Sequence, residues 1–116
     1  MQEYLQITPA NDAEGILQDM HWSDGSFGYF PSYLLGSIYD GMYLDSVEAE
    51  LGSVDTLLAE GRIGEITKWL NEKIHQYGST RSPKEVISHV CGKEVSAEPL
   101  IRYFKKKYTE VYHLDL

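Results

Sequence analysis

The sequence predicts an all-α fold of about five to six helices, and three observations carry that reading. No stretch alternates apolar and polar residues with period two for long enough to require a strand. Apolar residues recur instead at three- and four-residue intervals. Each helix after the first also has a residue suited to start it and another suited to stop it.

Taken in order, residues 1–11 read as an extended lead-in, with Tyr4, Leu5 and Ile7 available to dock onto a core. Asn11 or Asp12 is placed to cap a short helix reaching about Asp19, with Glu14 near its positive end. A loop from His21 to Tyr29 follows. Pro31 suits the first turn of a helix, and that helix is expected to run to about Leu51. Leu34, Leu35, Ile38, Met42 and Ala49 lie along one side of it. Tyr33, Gly36, Asp40, Tyr43 and Val47 lie along the other.

A helix that is apolar or aromatic on two sides is usually buried between two layers. A chain of 116 residues has little protein to supply both. Tyr33, Tyr43, Leu44 and Val47 are therefore expected to remain in water as a patch, through which two copies pair weakly as a possible homodimer. Asp40 is expected to be buried beside tyrosines. Gly36 and Gly41 each cost about 1 kcal/mol in a helix relative to Ala, which close approach of another backbone would explain.

Gly52 ends the long helix, Ser53 caps the next over Val54 to Glu60, and Gly61 closes it. From Arg62 to Tyr77 a stripe of Ile63, Ile66, Trp69, Leu70, Ile74 and Tyr77 predicts an amphipathic helix closed by Gly78. Ser82-Pro83-Lys84-Glu85 forms a capping box ahead of Val86, Ile87, Val90 and Cys91, and Gly92 stops that helix. Ser96 caps the last helix. Its apolar face holds Leu100, Ile101, Phe104, Tyr108, Val111 and Tyr112, with Arg102, Lys105, Lys106 and Thr109 outward.

The totals fit a single helical domain over residues 1–116. A net charge of −8 argues against a nucleic-acid partner, because phosphate binding needs a positive patch. Lys105, Lys106 and Lys107 form the single basic run. One cysteine, Cys91, excludes an internal disulfide and reads as a small core residue suited to a reducing cytoplasm. No apolar run approaches the roughly 18 residues of a membrane span, and the N-terminus lacks a signal-peptide pattern. A cytoplasmic protein without a membrane partner is expected. His75, His89 and His113 are scattered singly and read as surface residues.

The chemistry is concentrated in Gly15 to Gly36. Gln18, Asp19, His21 and Trp22 crowd together, a glycine-bearing turn spans Gly25 to Gly28, and Tyr29 and Tyr33 lead into the long helix. The plainest account of this stretch is aromatic core, with Gln18 and Asp19 as a cap or surface pair. Gly15-Ile16-Leu17-Gln18-Asp19-Met20-His21-Trp22, however, fits the G-x-x-Q-D-x-H-W motif of the carboxypeptidase Taq family of zinc metallocarboxypeptidases. Gly25 to Tyr33 resembles that family's next block. With Asn11-Asp12-Ala13-Glu14 ahead and the helical stretch behind, the resemblance covers most of the chain.

The resemblance implies the C-terminal part of a zinc-dependent enzyme that removes C-terminal residues from peptides, built as a helical segment of a neurolysin-like metallopeptidase fold. The family's zinc-binding H-E-x-x-H helix has no counterpart here, because His21, His75, His89 and His113 are followed by Trp, Gln, Val and Leu. The resemblance thus implies no metal ligand and no cofactor in this chain, with zinc or another divalent metal held by a missing N-terminal catalytic part. The isolated chain is predicted to be inactive, and family members are typically homodimers.

Zinc peptidases need donors that stabilise the oxyanion formed when water attacks the scissile carbonyl. Gly28-Tyr29-x-x-x-Tyr33 resembles the G-Y-x-x-x-Y stretch of thimet-type oligopeptidases and angiotensin-converting-enzyme-like folds. On that resemblance Tyr29 and Tyr33 are oxyanion donors, and His21 binds a substrate carbonyl or backbone group. Asp19 would hold the His21 tautomer, with Gln18 and Trp22 beside the substrate. The rival, from another class, is a small acidic helical protein-interaction module without catalysis.

Overall fold

The computed structural model describes residues 1–115. All its regular elements are helical, and no strand occurs among the described residues. The chain divides into two compact units, Met1–Leu34 and Leu35–Leu116.

The first unit holds α1 (Gln2–Leu5), two 3-10 turns (Asp12–Glu14 and Ile16–Gln18), α2 (Met20–Asp24) and the beginning of α3 (Phe30–Leu51). Three expectations change here. The lead-in is not wholly extended, because Leu5 N–H and Gln6 N–H close one helical turn onto the carbonyls of Met1 and Gln2 at 2.8 and 3.1 Å. The helix expected up to Asp19 is broken at Gly15, whose φ −113° and ψ −120° are not helical. A side chain at Gly15 would meet the Pro9 ring at 3.0 Å. Asn11 still caps the first turn, accepting from Glu14 N–H at 3.1 Å. Third, the loop expected from His21 to Tyr29 begins only after Asp24, because its first four residues belong to α2, five residues long and too short for periodicity to reveal. No residue of this unit is buried.

The second unit continues α3 and adds α4 (Val54–Ala59), α5 (Ile63–Lys73), a 3-10 turn (His75–Tyr77), α6 (Pro83–Cys91) and α7 (Glu98–Tyr112). The punctuation predicted from sequence operates locally. Ser53 caps α4 through Thr56 N–H, and Ser82 with Glu85 forms the reciprocal capping box of α6. Gly52, Gly61 and Gly92 end helices in the left-handed region that favours glycine. At α7 the cap shifts by one residue. Ala97 is the N-cap, while Ser96 Oγ accepts from Glu98 N–H at 3.2 Å.

Its core draws one or two side chains from each helix: Met42 and Val47, Leu57, Trp69, Val86 and Ile87, and Leu100. Two features of α3 correct the sequence reading. Val47, expected in a water-exposed patch, is 4% exposed, and Tyr43 and Leu44 are partly covered. Asp40 and Ala49, by contrast, are exposed. At about 100° per residue, Gly41, Met42 and Val47 point in three well-separated directions, and all three are buried. The unit therefore supplies both layers around the middle of α3 from its own helices. Cys91 is half-buried, its Sγ 3.7 Å from the Met42 carbonyl.

The two helical glycines separate cleanly. A Cβ on Gly41 would lie 2.8 Å from Leu100 N and 3.1 Å from Leu100 Cα, so α7 crosses α3 at backbone distance there. A Cβ on Gly36 would meet nothing within 4 Å. Gly41→Ala is expected to destabilise the chain by about 1–3 kcal/mol through overpacking, whereas Gly36→Ala should stabilise α3 by up to about 1 kcal/mol. Urea unfolding of the two variants checks both signs, and a stabilising Gly41→Ala would remove the close crossing.

Among the described residues, no helix is long and apolar enough to cross a membrane.

Candidate functional site

The site is assembled within the first unit by one cap, one turn and the start of α3. Asp19 leaves the preceding 3-10 turn in extended conformation, with ψ 118°. From there its Oδ1 accepts His21 N–H at 2.8 Å and also lies 2.6 Å from His21 Nδ1. The first contact is an ordinary N-cap bond. The second uses the same carboxylate to hold the imidazole. These two His21 bonds, backbone first, keep the Asp19 carboxyl below its ordinary value, so it is ionised at neutral pH.

That geometry decides the tautomer. A carboxylate only accepts, so Nδ1 carries the proton and donates it to Asp19. Neutral His21 then presents Nε2 as an acceptor, suited to a peptide N–H. Only the imidazolium can donate from Nε2 to a carbonyl.

The chain next reverses through Gly25 and Gly28, with φ +78° and +80°. A Cβ at either glycine would meet nothing within 4 Å, so the requirement is conformational rather than spatial. Asp24 steadies the reversal by accepting Ser26 N–H at 2.8 Å. The result brings the rings of Tyr29, Phe30 and Tyr33 to 5.6, 4.8 and 6.0 Å from the His21 ring. Tyr29 and Tyr33 meet edge to face at 5.2 Å. Each remains about half exposed.

The six residues singled out from sequence fall into two groups that share His21. Tyr29 and Tyr33 flank one side of its ring. Gln18, Asp19 and Trp22 line, with His21 itself, an open depression of about 770 Å³ whose remaining wall includes Leu5, Ile16 and Met20. Trp22 packs its ring on Phe27 at 5.2 Å rather than on the tyrosines. Phe30 was not singled out, although it lies nearest to His21. Its place three residues before Tyr33, on the same helical face, was the available signal.

Two of the other three histidines are engaged elsewhere. His75 Nδ1 lies 2.9 Å from Asn71 Oδ1, and His89 Nε2 lies 3.1 Å from the Tyr77 hydroxyl. Among the described residues no three His, Cys, Asp or Glu side chains converge. A catalytic zinc takes three protein ligands and a water, so the residues present do not fit one by themselves. What the arrangement offers instead is a tautomer-fixed imidazole, two exposed phenols and a neighbouring depression.

Comparison with known proteins finds relatives that match most of the chain. A family model described as carboxypeptidase Taq (M32) metallopeptidase matches residues 1–108. Carboxypeptidase 1 of Bacillus subtilis is 44% identical over 113 residues, covering 97% of this chain and 23% of that protein. Thermostable carboxypeptidase 1 of Thermus thermophilus is 36% identical, covering 95% of this chain and 22% of its own length. A crystal structure of BsuCP overlays with TM-score 0.82 at 44% identity, over 94% of this chain and 22% of that one. The chain thus spans under a quarter of the length of the relatives it matches.

Proposed function

This chain belongs to the carboxypeptidase Taq (M32) metallopeptidase family, and on that premise we propose that it is the C-terminal part of a metallocarboxypeptidase. The observation that carries the reading is His21 held at Nδ1 by Asp19 while Tyr29 and Tyr33 stand against its ring, inside the stretch matched by the family.

In this reading the Tyr29 and Tyr33 hydroxyls donate to the oxyanion that develops on the scissile carbonyl. His21 Nε2 accepts a substrate backbone N–H, and Asp19 keeps the ring in the tautomer that allows it. Gln18 and Trp22 border the peptide in the depression beside His21. Zinc, or another divalent metal, and the general base belong to polypeptide outside this chain. A reducing, cytoplasmic compartment suits the free Cys91.

The isolated chain is accordingly expected to turn over no blocked dipeptide above the buffer rate and to keep no zinc through dialysis. Stoichiometric zinc by metal analysis, or measurable hydrolysis by the purified chain, would overturn the assignment of metal and base to another part of the enzyme.

A further inference from the structure

We infer that Phe30 is a positioning residue for His21, its ring setting the tilt of the imidazole so that Nε2 meets the substrate backbone. This rests on the reading above, in which His21 Nε2 accepts a peptide N–H. It adds to that reading a residue with no polar chemistry of its own.

The Asp19 contact alone leaves the imidazole partly free. Oδ1 holds a single ring atom, Nδ1, at 2.6 Å, and a hydrogen bond tolerates about 30° of misalignment before it weakens. A binding group must keep its angle to within about 10–20°. A second contact has to remove the difference. The backbone gives little help, because His21 stands in α2, a helix of five residues, within a unit where no residue is buried. The His21 side chain is nonetheless only 21% exposed, so its immediate neighbours cover it.

Three rings supply that cover, and they are not equivalent. The Phe30 ring is nearest, at 4.8 Å and tilted by 47°, against 5.6 Å for Tyr29 and 6.0 Å for Tyr33. Ring contacts at about 4.5–7 Å depend on orientation, so the nearest ring has the most influence on the angle. Phe30 has no hydroxyl to offer an oxyanion, and at 49% exposure it contributes little to a core. Tyr33 lies three residues further along α3 and is placed by that helix itself. His21 belongs to another element and needs a tie to the same helix. Phe30, the first residue of α3, provides it, with its ring also 6.2 Å from Tyr33.

The first test reads the imidazole in the full chain. Nitrogen NMR shifts of the His21 side chain, recorded near pH 8.5 and so above the ordinary histidine range, report which nitrogen carries the proton. The parent chain is expected to show the Nδ1–H form alone. Phe30→Ala should show a mixture of both tautomers, and Phe30→Tyr, which keeps the ring, should return the parent pattern. Melting midpoints should agree within about 4 °C, as for a half-exposed position. If Phe30→Ala unfolds the first unit, Phe30→Leu removes the ring with less loss of volume and is read against the same expectation. A mixture already present in the parent, or an unchanged pattern without the ring, overturns the proposal.

The second test is kinetic, in an intact enzyme carrying this chain. Phe30→Ala is expected to raise KM for a blocked dipeptide about tenfold, the size of one lost hydrogen bond, with kcat within about twofold. Phe30→Tyr should restore most of the loss. In a His21→Ala background Phe30→Ala should add nothing, because its effect passes through the imidazole. An equal rise in that background would show that Phe30 touches the substrate itself. A fall in kcat at constant KM would show that it acts on Tyr33. Either result, or no change at all, overturns the proposal. If His21→Ala alone leaves KM unchanged, the substrate-binding reading of His21 fails, and the tautomer pattern then decides Phe30 separately.

Discussion

Tyr33→Phe or Tyr29→Phe, in an intact enzyme carrying this chain, is expected to lower kcat by about 10²–10³-fold with little change in KM, the cost of losing one oxyanion donor. The substitution isolates the hydroxyl. A phenylalanine ring keeps the edge-to-face contact between the two positions at 5.2 Å and the packing against His21. Stability should therefore hardly move while turnover falls, the pattern of an interaction made only in the transition state. Steady-state kinetics on a blocked dipeptide provide the measurement. If both variants stay within twofold of the parent, these tyrosines are aromatic packing and nothing more.

Ile87→Ala is expected to remove about 2–5 kcal/mol from the stability of the isolated chain, a large share of the roughly 5–15 kcal/mol typical of a folded domain. Ile87 is fully buried, and the second unit draws only one or two buried apolar side chains from each helix. A hole there cannot be filled by neighbours that are already thinly supplied. Leu57→Ala, at 1% exposure, belongs in the same class. Ile101→Ala is the matched comparison, because Ile101 is 45% exposed and should cost no more than about 0.5 kcal/mol in the isolated chain. Urea unfolding of the three variants reads the order directly, and an Ile101 effect equal to that of Ile87 would invert the assignment of the core.

The first unit has no such core. It is too short to be stable through burial alone, since chains below about 40 residues usually need a disulfide, a metal or a partner. Its candidate site is instead held by the Asp19 cap, the Gly25 and Gly28 reversal and the ring contacts around His21. The resemblance singled out His21, Tyr29 and Tyr33 for one function, and the structure brings those three together. It leaves Trp22 on Phe27, and it adds Phe30. The ring pairs depend on how the chain turns between His21 and Tyr29, which spacing along the sequence does not specify.

Sequence alone determined the helical class and the limits of most helices, because capping and stopping are local. Ser53, Ser82 with Glu85, Gly52, Gly61 and Gly92 act on backbone groups within a few residues of themselves. It also determined the family, because the Gln18, Asp19, His21, Trp22 pattern is local too. Tertiary structure decided what was covered. Val47 went into the core and Asp40 into water. Gly41, and not Gly36, proved to be the place where α7 crosses α3, and most of the apolar arc of α7 was left unpaired. Burial depends on which helix arrives from far along the chain, and two glycines in the same helix look alike until that neighbour is in place.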